Sequence, residues 1–347
     1  MRLSPTFLAA SLSVAATFCA GTAAATLCPA TARATDITGA GSTFAAPIYG
    51  AWGAAARQPL GINLNYQALG SGAGQNQVIA RTVDFGASDA PVPAAKLSAN
   101  HLLQFPTVIG GVVVIVNLPG IAINQLKLTG PVLAGLFDGD ITDWNDKQIK
   151  ALNPGVNLPD VPVAAVHRAD GSGTTFVFTS YLAKTSAGWK SNVGASTSIA
   201  WPTGAGARGN DGVAAVVHNT RGGIGYVEYA YADRNHLTTV ELKDKAGQFV
   251  QPDLASFAAA AKAADWTGAS NFAVDLLDTP GAGAWPIVSA TFVLLPTDPK
   301  DPKRAAAVTH FFDWAFTNGG AIATKLNYVT LPASVEDSVR KAWSQIR

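Results

Sequence analysis

Apolar positions along the chain fall into two kinds of run. Residues 105–117 and 284–296 are almost wholly apolar and rich in β-branched side chains. Such unbroken runs fit strands buried on both faces. Gly110-Gly111 in the middle of the first predicts a bend there. Other runs are periodic. Residues 62–66 alternate as Ile-Asn-Leu-Asn-Tyr, the period of a strand. Phe44, Ile48 and Trp52 recur at helical spacing, with Pro47 near the first turn. Residues 161–166 read as a strand. Residues 174–184 read as a helix with Phe178, Tyr181 and Leu182 on one face. Residues 83–91 predict a short strand ending in a Ser-Asp-Ala-Pro turn, and residues 222–227 a turn into a strand. Helices are expected over 75–80, 213–218, 252–264 and 303–317, the last ended by Asn318-Gly319-Gly320. Short helical pieces are expected over 136–144 and 146–152, and 204–212 reads as a flexible glycine loop. Strands alternating with helices give an α/β fold. The two unbroken runs flank 117–283, as if the chain crosses to a second lobe there and later returns.

Three glycine–hydroxyl stretches lie between a strand and a helix start: 38–44, 69–74 and 168–175. The last carries Arg168, Asp170, Gly171, Ser172, Gly173, Thr174 and Thr175. A helix N-terminus presents unpaired N–H groups and partial positive charge, and glycine lets a ligand approach the backbone. Arginine adds a planar fork suited to a tetrahedral oxyanion. Together these residues make an anion cradle. The plainer alternative is a glycine turn with a serine N-cap and a surface ion pair between Arg168 and Asp170. Asp89 is either an ordinary turn aspartate or a carboxylate aimed into a site.

Composition narrows the field. At 347 residues the chain is long enough for two domains. Charged residues make up 14%, and the formal net charge is +1. There is no basic footprint for nucleic acid, so an anion site must work through local donors. Residues 1–25 read as a secretory signal: Arg2, then the apolar stretch 7–18, then Ala23-Ala24-Ala25 for cleavage. Of the two cysteines, Cys19 falls inside that segment and Cys28 remains, so no internal disulfide is expected. Phe18 and Leu27 precede them, so no lipid anchor is expected. The address that follows is the periplasm.

Much reactive chemistry is missing. The histidines, His101, His167, His218, His236 and His310, are scattered without metal-ligand spacing, so no metal or cofactor is expected. Residues 38–44 lack the third glycine and the ribose-binding acid of a dinucleotide site. Gly173 is followed by Thr174, not by the lysine of a nucleotide-binding P-loop. Ser172 lacks the Gly-x-Ser-x-Gly elbow of a hydrolase, and His167 is near it only in sequence. The set suits holding an oxyanion and is poor for attacking one. No catalytic residue is assigned.

Five motifs then stand in one order: Thr38-Gly-Ala-Gly-Ser-Thr-Phe-Ala-Ala-Pro47, Asp84-Phe-Gly-Ala-Ser-Asp-Ala-Pro91, Arg168-Ala-Asp-Gly-Ser-Gly-Thr174, Gly225-Tyr-Val-Glu-Tyr-Ala230 and Phe311-Phe-Asp-Trp-Ala315. With them the chain, from about residue 36 to 345, resembles the bacterial periplasmic phosphate-binding proteins, the PstS family. These are the receptors of the high-affinity ABC-type phosphate importer. The resemblance implies a two-lobe periplasmic binding protein fold of type II, with two crossover strands as the hinge and the ligand in the cleft. Its implied boundaries are 26–108 and 285–347 for the first lobe and 109–284 for the second. It implies that inorganic phosphate is held by Thr43, Phe44, Ser71, Asp89, Arg168, Ser172, Gly173 and Thr174, with Asp170 orienting the arginine. His167 would fall just outside the ligand. The family often has two serines where Ser71-Gly72 stands; the binding serine is kept. The implied protein is a monomer whose partners are the importer's permease and ATPase subunits. The alternatives are a phosphatase-like enzyme on the same cradle and a surface adhesin or scaffold reusing the fold.

Overall fold

The computed structural model describes residues 35–266 and 270–347. The expected secretory signal, residues 1–25, and Cys28 lie outside the described residues. In chain order the strands are β1 (Thr35–Gly41), β2 (Ile62–Gln67), β3 (Phe85–Ser88), β4 (Leu102–Asn117), β5 (Lys127–Leu128), β6 (Ala164–Arg168), β7 (Ala205–Ala207), β8 (Gly223–Glu228), β9 (Thr238–Thr239), β10 (Glu241–Lys243), β11 (Phe249–Val250) and β12 (Val288–Pro296).

One sheet runs in the order β2-β1-β3-β12-β4-β8-β6-β7, with β9 pairing beside β4. Its flanks are parallel: β1 lies between β2 and β3, and β6 lies between β8 and β7. The centre is antiparallel, because β12 pairs with both β3 and β4, and β4 pairs with β8. A small second sheet has the order β11-β10-β5. This mixed α/β sheet, with parallel flanks around an antiparallel centre, agrees with the fold that the resemblance implies.

The unbroken apolar runs became the centre of the sheet. Every residue of β4 but Asn117 is buried. Its first part, Leu102 to Gly111, pairs with β12, and its last part, Val112 to Asn117, pairs with β8. One strand therefore joins the two halves. A β-carbon on Gly110 would strike the ring of Phe44, and one on Gly111 the ring of Phe257. So the glycine pair serves close packing on opposite faces. The irregularity in pairing lies elsewhere, between Thr291 and Phe292 of β12 where they meet Val108 and Pro106. Proline has no N–H for the ladder, and Thr107 is the extra residue there. Its hydroxyl bonds Tyr49 and the Thr291 carbonyl.

Several boundaries differ from the sequence reading. Residues 38–41 belong to β1, so the first loop is only Ser42 to Ala45. The second helix starts at Ser71, with the next two glycines inside it (Ser71–Ile79). The helix expected over 136–144 is Gly130–Asp138, stopped by Gly139 at φ 90°. The flexible loop expected over 204–212 is β7 followed directly by the helix Gly209–Asn219. The helix expected over 303–317 is Pro302–Asn318 and ends at Gly319 as expected, with a short separate helix, Gly320–Lys325, following it. No helix among the described residues is long and apolar enough to cross a membrane.

Candidate anion-binding site

Four helix N-termini gather where the sheet halves meet: Ala46–Leu60 and Ser71–Ile79 from one half, Gly173–Thr185 and Gly209–Asn219 from the other. Cross-links between the halves fix the closure. The Gly72 N–H donates to the Gly171 carbonyl at 2.8 Å. The Asn210 amide donates to the Thr43 hydroxyl at 2.8 Å, and the Tyr231 hydroxyl to the Thr43 carbonyl at 2.7 Å. Glycine is required at two of these contacts. Gly70, at φ 94°, would drive a β-carbon into the Asp170 carboxylate. A β-carbon on Gly173 would meet the Ser71 hydroxyl and stand 2.6 Å from Asp89 Oδ2.

Asp89 follows β3 directly and is 1% exposed, so it is no surface turn aspartate. Its oxygens are used unequally. Oδ1 accepts from the hydroxyls of Ser42 at 2.5 Å and Thr291 at 2.7 Å. Oδ2 accepts only a long bond, 3.4 Å, from Ser71, and faces Gly173. The Asp89 N–H in turn donates to the Ser71 hydroxyl. Burial pushes its carboxyl up to about 6, against the lowering pull of the Ser42 and Thr291 hydroxyls and the Arg168 charge.

Arg168 ends β6 and is equally buried, so its pair with Asp170 is not a surface ion pair. Nε and Nη2 donate to the two carboxylate oxygens at 2.7 and 2.5 Å. Nη1 makes only a 3.3 Å bond to the Thr174 hydroxyl. One edge of the fork is thus fixed and the other remains for an anion. Burial opposes ionisation of Asp170, but the hydrogen bond and charge of Arg168 outweigh it and hold the carboxyl below its usual range. The Gly209 N–H adds a third bond to Asp170.

Ser172 is the N-cap of Gly173–Thr185, its hydroxyl accepting from the Thr175 N–H at 3.0 Å. Gly173 and Thr174 are then the first helical residues, whose N–H groups lack helical partners. Phe44 is fully buried, its carbonyl accepting from the Tyr328 hydroxyl at 2.6 Å. The structure thus brings together the segments of all nine residues named from the sequence. His167 lies outside: its ring stacks on Trp201 at 4.7 Å.

Four residues escaped the sequence reading as parts of this site. Asn210 sits in the segment read as a loop, and its amide touches Thr43 and Thr174. Glu228, at the end of β8, shares the Tyr328 hydroxyl proton with the Phe44 carbonyl, at 2.9 Å, and accepts from the Ala230 N–H, while its Oε1 has no partner among the described residues. Burial raises its carboxyl well above the usual range. Thr291 supports Asp89 from β12. Tyr328 lies more than two hundred residues from Phe44. A separate groove of about 820 Å³, lined by Phe176, Lys184, Leu276 and Phe292, contains none of the nine. Its Lys184 is spent on Asp275 and the Leu277 carbonyl.

Residues 28–318 match the family model described as a PBP superfamily domain. The chain is 51% identical over 310 residues to the phosphate-binding protein PstS of Pasteurella multocida (strain Pm70), covering 89% of this chain and 90% of that one. It belongs to the PstS family. A second PstS, from Haemophilus influenzae, is 48% identical over 89% of this chain and 93% of its own length. Among solved structures, the periplasmic phosphate-binding protein PfluDING, bound with phosphate, superposes with a TM-score of 0.70 at 24% identity, over 88% of this chain and 93% of that one. A phosphate-binding protein from Stenotrophomonas maltophilia gives 0.67 at 19% identity, with the same coverage. These two likenesses extend the agreement to the fold.

Proposed function

We propose that the chain binds inorganic phosphate in the cleft between its lobes and delivers it to the permease and ATPase subunits of an ABC-type importer. The supporting observation is the pairing, in one buried site rich in N–H and hydroxyl donors, of a fixed guanidinium with a carboxylate that can only accept. Arg168 Nη1, the N–H groups of Phe44, Gly173 and Thr174, and the hydroxyls of Thr43, Ser71, Ser172 and Thr174 supply donors. Asp89 Oδ2 accepts the proton that phosphate keeps near neutral pH. The 51% identity to a PstS supports the same ligand.

We further infer that the lobes comprise residues 26–108 with 285–347, and 109–284, with β4 and β12 as the crossing strands. Groups from both lobes would meet one anion, so binding favours closure through contacts the open form lacks. The working form is a monomer in the periplasm, exported by the segment 1–25. A phosphatase-like activity is the competing reading. It needs an activated nucleophile or a metal pair, and the imidazole of His167 is engaged with Trp201 and the Arg168 carbonyl instead. Equilibrium dialysis against labelled phosphate, run beside turnover of a phosphomonoester, separates the two. Saturable uptake without turnover is expected; hydrolysis of the ester would overturn the assignment.

A further inference from the structure

We propose that Asn210 is a positioning residue for the anion: its amide holds the hydroxyls of Thr43 and Thr174, from opposite halves of the sheet, as donors toward the ligand. The inference rests on the phosphate-binding reading and adds to it a residue outside the expected ligand set.

Asn210 is fully buried in the first turn of Gly209–Asn219. Its orientation is fixed by the backbone. The Glu228 N–H donates to Asn210 Oδ1 at 3.1 Å, so the nitrogen must face the other way. There Nδ2 donates to Thr43 Oγ1 at 2.8 Å and to Thr174 Oγ1 at 3.4 Å.

A hydroxyl has one proton and two lone pairs. Asn210 takes a lone pair of Thr43, and no described residue takes its proton. At Thr174, Asn210 and Arg168 Nη1 take both lone pairs. In each case the proton is left to give away. An oxyanion offers only acceptors on its unprotonated oxygens, so hydroxyls set as donors suit it and hydroxyls free to rotate suit it less. The same amide touches both halves, so the donors are set only when the cleft is closed.

Asn210→Asp tests this with little change of shape. An ionised aspartate only accepts. Both hydroxyls would turn their protons to it, and the ligand would meet a further negative charge. Protonation of the introduced carboxyl would restore a donor. Phosphate affinities of the full chain, wild type beside Asn210→Asp and Asn210→Ala, are measured by calorimetry from about pH 5 to about pH 8, where a buried carboxyl titrates. The neighbouring charged groups are common to all three proteins: Arg168 through Thr174, Asp170 through Gly209, Glu228 through its N–H and Tyr231 through Thr43. The ratio of variant to wild type therefore isolates position 210. Asn210→Asp is expected to bind at least about tenfold more weakly at the alkaline end, where buried donors and acceptors are mismatched, with the deficit shrinking as pH falls. Asn210→Ala is expected to lose several-fold with no added pH dependence. A pH-independent loss in Asn210→Asp equal to that of Asn210→Ala would reduce Asn210 to packing, and unchanged affinity in Asn210→Ala would overturn the inference by itself. Absence of phosphate binding by the wild type would instead overturn the functional reading beneath it.

Discussion

Arg168 and Asp170 meet edge to edge, Nε on Oδ1 at 2.7 Å and Nη2 on Oδ2 at 2.5 Å, with Arg168 buried and Asp170 partly buried. The pair fixes the plane of the guanidinium before any ligand arrives, and it leaves Nη1 for the anion. Truncating one partner of a buried charge contact costs roughly 2–5 kcal/mol. Arg168→Ala is therefore expected to weaken phosphate binding at least about tenfold at low salt. Arg168→Lys should not restore it, since an ammonium cannot hold Asp170 and the anion in one plane. Calorimetric titration of each variant checks both expectations; unchanged affinity would take Arg168 out of the site.

Asp89 is the second determinant, through Oδ2. Sulfate has no proton to give it, so oxygen faces oxygen and repulsion adds to the rejection. A site built for a substrate hydroxyl can reject an analogue lacking it by about 10⁴–10⁵. An asparagine amide could turn to accept or to donate. Asp89→Asn should keep useful phosphate binding and acquire measurable sulfate binding, read by competition against labelled phosphate. A mutant that excludes sulfate as firmly as wild type would move selectivity to the hydroxyls.

The same carboxyl makes a pH prediction. Its folded value, about 6, lies above that of an exposed aspartate. A group raised on folding contributes stability that is full below its unfolded value and lost as pH rises through the folded one. In phosphate-free buffer, thermal melting of the wild type should therefore fall behind that of Asp89→Asn between about pH 4 and about pH 7. Glu228, raised further by burial, carries the same sign. Glu228→Gln, which keeps an acceptor for Tyr328, should match wild type in acid and melt higher in alkali. Parallel melting curves for wild type and variants at every pH would contradict both assignments.

Gly173 tests closure. An alanine there would push its methyl against Ser71 and Asp89. Overpacking of this kind costs typically about 1–3 kcal/mol, and here the cost falls on the closed form. Gly173→Ala should fold, bind phosphate on the order of tenfold more weakly, and lose the decrease in scattering radius that phosphate gives the wild type. A variant that compacts as the wild type does would show that the halves do not close on this point.

The parts of this site that could be read from the sequence are those whose chemistry is contiguous. Arg168 to Thr174 sit side by side between a strand and a helix, and the two unbroken apolar runs announced β4 and β12. Asn210 was hidden because Gly-Asn-Asp-Gly is turn chemistry in isolation, and only the fold turns it into the first turn of a helix against Thr43. Glu228 and Tyr328 come from segments one hundred residues apart. Nothing local marks a carboxyl whose titration is pushed upward because the sheet buries it. The Gly110-Gly111 pair illustrates the same limit: those glycines also answer to the rings of Phe44 and Phe257, which no local window contains.

The most direct measurement is the crystal structure of the chain grown with phosphate. The account predicts one phosphate in the cleft, with Arg168 Nη1, the hydroxyls of Thr43, Ser71, Ser172 and Thr174, and the N–H groups of Phe44, Gly173 and Thr174 within hydrogen-bond distance. It also predicts an oxygen short to Asp89 Oδ2. Phosphate bound by residues of one half alone, or outside the cleft, would contradict it.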